Sequence, residues 1–311
     1  MGIDEIQLNF SSNTLLLMNI LIGFIMFGVA LDLKVDDFKR TLKTPKPFII
    51  GIIAQFFIMP ALTFLLVLLL EPRPSIALGM FLVAACPGGN LSNFITHLGK
   101  GNTPLSISLS AVSTSLSIIM TPLNTMMWGS IYQPTREILQ SFMISPWSLV
   151  QTIIILLGIP LAAGMYVNYK KPDWSKKASR WMKRFSIAFF LLFVIGALLT
   201  NFTYFLDYVH MVVIAVFLHN LIAILSGYFS AKTLGLAEAD RRAIAIEIGI
   251  QNSGLGLILV FNFFDGLGGM AIVAAWWSIW HIISGLSLAF FWSKREPKKM
   301  QQSDEVSEVA T

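Results

Sequence analysis

The sequence predicts an all-α polytopic membrane protein with nine transmembrane helices, and three observations carry that prediction. Composition comes first: 55% of the 311 residues are hydrophobic and 13% are charged, whereas a soluble domain carries about a quarter charged residues. The charges are also segregated. Long apolar stretches alternate with short connections rich in Lys and Arg, and about 20 apolar residues suffice to cross a hydrocarbon core ~30 Å thick. The third observation is the side on which those basic connections fall.

In chain order the spans are read at 12–32, 47–70, 76–97, 103–128, 147–169, 185–206, 209–231, 241–264 and 269–293. With the N-terminus outside, the inward segments are 33–46, 98–102, 170–184, 232–242 and the C-terminal tail. They hold 20 of the 22 Lys and Arg residues, and the outward loops hold only Arg73 and Arg136. Basic loops stay on the cytoplasmic side. The expectation is therefore a multi-pass protein of the cell inner membrane or plasma membrane, with its N-terminus outside and its C-terminus cytoplasmic. Met1 to Asn13 contains Asp4 and Glu5 but no Lys or Arg, so no cleavable signal peptide is expected. The polar tail 294–311 is expected to be disordered. The most basic connection, Lys170 to Arg184, reads first as a topology anchor and second as a contact for anionic membrane lipid.

Composition also excludes some functions. The basic residues flank apolar spans and form no stripe, so nucleic acid is not an expected partner. Cys86 is the one cysteine, which rules out a disulfide framework within the chain. No thiolate or imidazole cluster supports zinc or copper transport. There are no paired aspartates and no H-E-x-x-H motif for an intramembrane enzyme, and none is expected.

Two spans do not suit continuous helix. Span three reads Ala85-Cys86-Pro87-Gly88-Gly89-Asn90-Leu91-Ser92-Asn93, and span eight reads Glu247-Ile248-Gly249-Ile250-Gln251-Asn252-Ser253-Gly254. Pro87 removes a backbone donor, and two glycines follow it. Both motifs fall near the bilayer midplane at ~1.5 Å rise per residue. Spans one to four and six to nine form two groups, each with its broken helix third. Five spans separate their starts, so the second group is inverted. Broken helices in matching places of an inverted repeat point to a secondary-transporter site.

Glu247 is the acidic side chain placed deep in the hydrocarbon, with no Lys or Arg at its depth. A buried carboxylate is costly and is usually paired or functional. Its natural partner is a bound cation, or else a proton. Ser92, Asn93, Ser106, Ser110, Gln55 and Gln251 supply oxygen of the kind a hard cation takes. Ser106, Ser110, Ser113 and Ser117 share one face of span four, and back-bonding to the preceding turn accounts for the last two. His281, like His97, His210 and His219, is read as a packing histidine. Half-helix N-termini at the cavity favour an anion.

At these residues the chain resembles the bile acid:sodium symporter family. The match lies in Cys86-Pro87-Gly88-Gly89 with Ser92-Asn93, in Gly101-Asn102 with Leu105-Ser106, and in Val112-Ser113-Thr114. It continues in Gln55 with Met59-Pro60, in Glu247 with Gly249 and Gln251-Asn252-Ser253-Gly254, and in Trp280-His281 with Ser284-Gly285.

The resemblance implies two sodium sites. One would use Ser92, Asn93, Ser106, Ser110 and Glu247; the other would use Gln55, Glu247, Gln251 and the carbonyls of Ile248 and Ile250. It places substrate near Asn90, Asn252 and His281. It implies a core domain of 47–128 and 209–293, and a panel domain of 12–32 and 147–206. Ser110 stands where threonine can occur, and Ile282 follows His281 where some members have asparagine. The substrate is expected to be a small organic anion, whether bile acid-like, pantoate-like, a keto acid or sulfonated. A monomer is the simplest expectation. The alternative is a proton-coupled organic anion carrier in which Glu247 takes up and releases the proton.

Overall fold

The computed structural model describes residues 3–5, 12–32, 45–89, 91–142, 146–200 and 202–297. Among these, the regular structure is helical. The one exception is an isolated antiparallel bridge between Gly88 and Gln251. Helix α1 is Ser12–Ala30. Helices α2 (Pro45–Ile53) and α3 (Met59–Leu70) are joined by a π-helical turn, Ala54–Ile58. Helices α4 (Pro74–Ala85) and α5 (Leu91–Leu98) flank the first break. Helix α6 is Thr103–Ile131 and α7 is Gln133–Ser141. Helices α8 (Pro146–Ile153) and α9 (Ile159–Lys170) are joined by a second π turn, Ile154–Gly158. Then come α10 (Pro172–Thr200), α11 (Phe202–Thr233), α12 (Glu238–Gly249), α13 (Ser253–Phe263) and α14 (Gly268–Ser293).

The prolines explain much of this segmentation. Pro60 and Pro160 each stand two residues past the end of a π turn. A proline ring clashes with the carbonyl four residues back and offers it no N–H, and widening that turn relieves both defects. In the first case the wide turn contains Gln55. Where a helix begins, proline costs nothing: Pro74 opens α4, and Pro104 and Pro134 sit in the first turns of α6 and α7.

Every range read as a span carries helix among the described residues. Five helical stretches are long and apolar enough to cross a membrane: Pro45–Leu70, Thr103–Ile131, Val150–Lys170, Leu206–Thr233 and Gly268–Ser293. Asn19–Ala30, Pro74–Ala85 and Ser253–Phe263 are shorter apolar helices. The surface is apolar as well: Leu69 is 79% exposed, and Ile20, Leu65, Ile155, Ile214 and Phe290 also face outward. Such a surface suits lipid rather than water.

Two connections differ from the sequence reading. The basic segment 170–184 is helical from Pro172 onward and continues into the expected span six. Its Lys, Arg, Ala, Trp and Met residues all tolerate helix, so its charge does not end the helix. The segment after span four, read as an outward loop, contains the short helix α7. Of the tail, Lys294 to Pro297 belong to the described residues, and 298–311 lie outside them, as does most of the basic segment 33–46.

Helix α1 packs against α9, α10 and the second π turn. Helix α4 packs against α3, α6 and α14, and α11 packs against α12, α14 and α3. Helix α4 is buried from Ser75 to Ala85, as expected of a helix that is apolar all round. Trp277, Phe56 and Phe81 are the bulkiest fully buried side chains. Asn19 on α1 and Asn262 on α13 exchange two amide hydrogen bonds, of 3.0 and 2.9 Å. At the other end, Arg242 is buried and donates to the carbonyls of Gly99, Trp292 and Arg295, tying two helix C-termini together.

The orientation is testable at exposed positions in a Cys86→Ala background. A cysteine at Glu137 should react with an impermeant thiol reagent on intact cells. A cysteine at Lys177 should react only after permeabilisation. Labelling of Lys177→Cys on intact cells would overturn the placement of the basic segment inside.

Candidate ion and substrate site

Helix α4 stops at Ala85 because Pro87 cannot donate and Cys86 turns extended (φ −69°, ψ 155°). Helix α12 stops at Gly249, and Ile250 leaves the helical region (φ −108°, ψ 85°). The two breaks then satisfy each other. Gly89 N–H donates to the Ile250 carbonyl at 2.6 Å, and Asn252 N–H donates to the Pro87 carbonyl at 2.8 Å. The Gly89 and Gln251 carbonyls accept from the backbone N–H groups of Ser92 and Ser253, and four others at the breaks are taken by side chains. Thr121 Oγ1 donates to Ala85 O (2.7 Å), Gln55 Nε2 to Cys86 O (2.8 Å), Gln251 Nε2 to Ile248 O (2.7 Å) and Asn220 Nδ2 to Gly249 O (2.8 Å). Non-helical backbone at membrane depth requires such partners.

Glu247, in the last turn of α12, is 2% exposed. Its Oε2 accepts from Ser92 Oγ at 2.6 Å and from Ser106 Oγ at 3.2 Å, and its Oε1 accepts from Ser110 Oγ at 2.7 Å. Asn93 Oδ1 faces Ser106 Oγ at 2.8 Å and Ser110 Oγ at 3.3 Å. The five residues expected at the first ion site are therefore together, drawn from α5, α6 and α12. Each hydroxyl has one proton to give, so three protons are shared among the carboxylate and the amide oxygen. Among the described ion pairs, none involves Glu247. The cluster is rich in oxygen and includes a carboxyl group, which suits a hard cation.

Gln55 and Gln251, each 1% exposed, exchange amide hydrogen bonds of 3.2 and 3.3 Å. With the Ile248 carbonyl, most of the second expected set is assembled. The Ile250 carbonyl lies at the crossing, where it accepts from Gly89 and keeps a second lone pair. Glu247 bonds to the first set and abuts Gly88, the bridge partner of Gln251. A Cβ on Gly88, which pairs with Gln251, would come 2.1 Å from Glu247 Oε1.

Of the expected substrate residues, Asn252 caps α13, its Oδ1 accepting from Leu255 N–H at 3.1 Å. His281 on α14 is buried, and its Nδ1 has no hydrogen-bond partner. It lies one turn beyond Ser278, whose hydroxyl donates to Ser253 beside Asn252. Asn90 lies outside the described residues.

Sequence reasoning missed Thr96, Thr121 and Asn220. Thr96 Oγ1 donates to Ser106 Oγ at 3.3 Å; its position four residues after Ser92, on the same helix face, was a usable signal. Ser113 and Ser117 bond back to the carbonyls of Ser110 and Thr114, as expected.

A chain whose described residues are helical with an apolar surface, and whose two interrupted helices meet beside one buried glutamate, has the features of a membrane transport protein. Sequence comparison makes the class specific: residues 19–208 match the sodium bile acid symporter family, and the chain belongs to that family. It is 38% identical over 284 residues to the sodium-dependent transporter YocS of Bacillus subtilis, covering 91% of this chain and 85% of the relative. It is 31% identical over 276 residues to the probable chloroplastic sodium/metabolite cotransporter BASS1 of Arabidopsis thaliana, covering 89% and 66%. To the human ileal sodium/bile acid cotransporter it is 28% identical over 242 residues, covering 76% and 67%. These relatives are transporters, and the chain is not an enzyme.

The close approach at Gly88 yields a test. Gly88→Ala should displace Glu247 and abolish stabilisation by sodium, read as the shift in melting temperature between sodium and choline chloride. Gly196→Ala, where a Cβ meets nothing within 4 Å, should keep the wild-type shift. An undiminished shift in Gly88→Ala would contradict the packing of Glu247 against the first break.

Proposed function

We propose that the chain is a secondary active transporter that moves a small organic anion together with sodium ions, by alternating access. The observation that carries this reading is Glu247: a buried carboxylate at the helix crossing, bonded to three hydroxyls and, among the described residues, to no basic side chain. Two sodium ions would bind. One would be held by Ser92, Asn93, Ser106, Ser110 and Glu247, the other by Gln55, Gln251, Glu247 and the carbonyls of Ile248 and Ile250. With a monoanion the transported charge is +1, worth ~2.3 kcal/mol per 100 mV of membrane potential.

The substrate site would lie at the crossing, near Asn90, Asn252 and His281. Helices α5 and α13 begin there, and helix N-termini favour an anionic group. Relatives named for bile acid and metabolite cotransport support an organic anion. In this reading nine segments cross the membrane with the N-terminus outside. Spans two to four and seven to nine form the core, and spans one, five and six form the panel. The packing of α1 on α9 and α10 supports that grouping. Ions and substrate reach the crossing from one side, and movement of core against panel exposes them to the other. The working unit is a monomer in the inner or plasma membrane, with lipid around it.

A proton-coupled carrier is the second reading. The hydroxyls around Glu247 favour it to this extent: each can rotate to accept as well as donate, so they suit a protonated carboxyl too.

Uptake in proteoliposomes over a sodium series, at constant pH and ionic strength, separates the two. Glu247→Gln should abolish sodium-driven uptake, because it removes the charge shared by both sites. Gln251→Ala and Ser106→Ala should each lower sodium affinity and leave residual uptake at high sodium, since a neutral ligand costs less to lose. Unchanged sodium dependence in Glu247→Gln would sink the coupling site. A wild type that ignores sodium and follows a pH gradient would favour the proton reading.

A further inference from the structure

Asn220 was not among the residues expected to act, yet it holds the second break. It is 1% exposed, on α11. Its Nδ2 donates to the Gly249 carbonyl at 2.8 Å, and its Oδ1 accepts from Ser284 Oγ on α14 at 2.6 Å. The amide orientation follows from these partners, since a hydroxyl donating to Oδ1 and a carbonyl facing Nδ2 are mutually consistent. Gly249 lies between Ile248 and Ile250, the residues whose carbonyls enter the proposed second sodium site, and two residues from Gln251.

The same face of α11 fixes this segment sterically. A Cβ on Gly249 would meet Ile224 Cγ1 at 2.4 Å, and a Cβ on Gly227 would meet Ala245 Cα at 2.9 Å. Asn220, Ile224 and Gly227 recur at helical spacing, so one face of α11 abuts the end of α12. Rotating the Gly249 peptide plane would break the bond from Asn220. With that plane held, the Ile248 and Ile250 carbonyls can turn only through the φ and ψ of the residues that flank it, and so over a narrower range.

We propose that Asn220 is a positioning residue for the second sodium site: clamped by Ser284, it sets the direction of the carbonyls on either side of Gly249. Asn220 touches no ion itself. It acts through the backbone, in the manner of outer partners that orient the ligands of a metal site. The proposal rests on the sodium-site reading above.

The test uses the purified full chain and sodium chloride against choline chloride. Two quantities are read: the sodium concentration giving half of the maximal thermal stabilisation, and the sodium concentration giving half-maximal uptake. Asn220→Ala and Asn220→Asp should raise both by about five- to tenfold, the usual consequence of losing one buried hydrogen bond. Maximal uptake should fall much less. Ser284→Ala should move both in the same direction by about threefold, and Ser284→Thr, which keeps the hydroxyl, should stay within about twofold of wild type. A merely structural role would lower the melting temperature equally with and without sodium and leave half-saturation unmoved. Should Asn220→Ala fail to fold, Ser284→Ala and its rescue by threonine carry the test. Half-saturation within twofold of wild type in both Asn220→Asp and Ser284→Ala overturns the proposal while leaving the sodium sites standing. A wild type without any sodium response overturns the sodium-site reading, and this inference with it.

Discussion

The structure depends on one constraint: backbone polar groups at membrane depth must find partners inside the protein. Pro87 makes that constraint acute by ending α4 in the middle of an apolar region. The answer is a pair of reciprocal hydrogen bonds, Gly89 to Ile250 and Asn252 to Pro87, in which each broken segment completes the other. Neither break could persist alone. Thr121, Gln55 and Asn220 take the carbonyls that the crossing leaves over. Those polar side chains in apolar helices follow from the breaks.

The crossing in turn makes room for a charge. Glu247 reaches the first break because Gly88 has no side chain, and it meets Ser92, Ser106 and Ser110 because α5 and α6 converge there. Three hydroxyls reduce the cost of burying a carboxylate. A cation entering such a site gains a full opposite charge in a medium of low dielectric, where the attraction is strong. The same geometry exposes two helix starts to the same region. In the reading proposed above, an ion site and an anion site arise from this one crossing, and binding at one would alter the field at the other.

Much of this was legible in the sequence, because the features are chemically unusual. Proline followed by two glycines in an apolar run can hardly be read as continuous helix, and a lone glutamate at that depth demands a partner. The ligand set came from motif resemblance, and the geometry brings Ser92, Asn93, Ser106, Ser110 and Glu247 within hydrogen-bonding distance of one another. What the sequence hid was of two kinds. The segment 170–184 looked like a loop because its charges mark a side of the membrane, yet those same residues are good helix formers and the helix runs through. Asn220 and Thr121 are polar residues in apolar spans that no motif singles out. Their roles depend on which carbonyl a distant break sets free, and that is a tertiary fact. Thr96 was hidden less well, standing one turn from Ser92.

The central claim is that Glu247 and its oxygen-bearing neighbours bind sodium as two interdependent sites. Equilibrium binding of radioactive sodium to the purified protein, at constant ionic strength and fixed pH, tests it most directly. The account predicts saturation at two ions per chain, with displacement by unlabelled sodium and not by choline. Saturation at a single ion would contradict the shared carboxylate, and no saturable binding at all would contradict the sodium site itself.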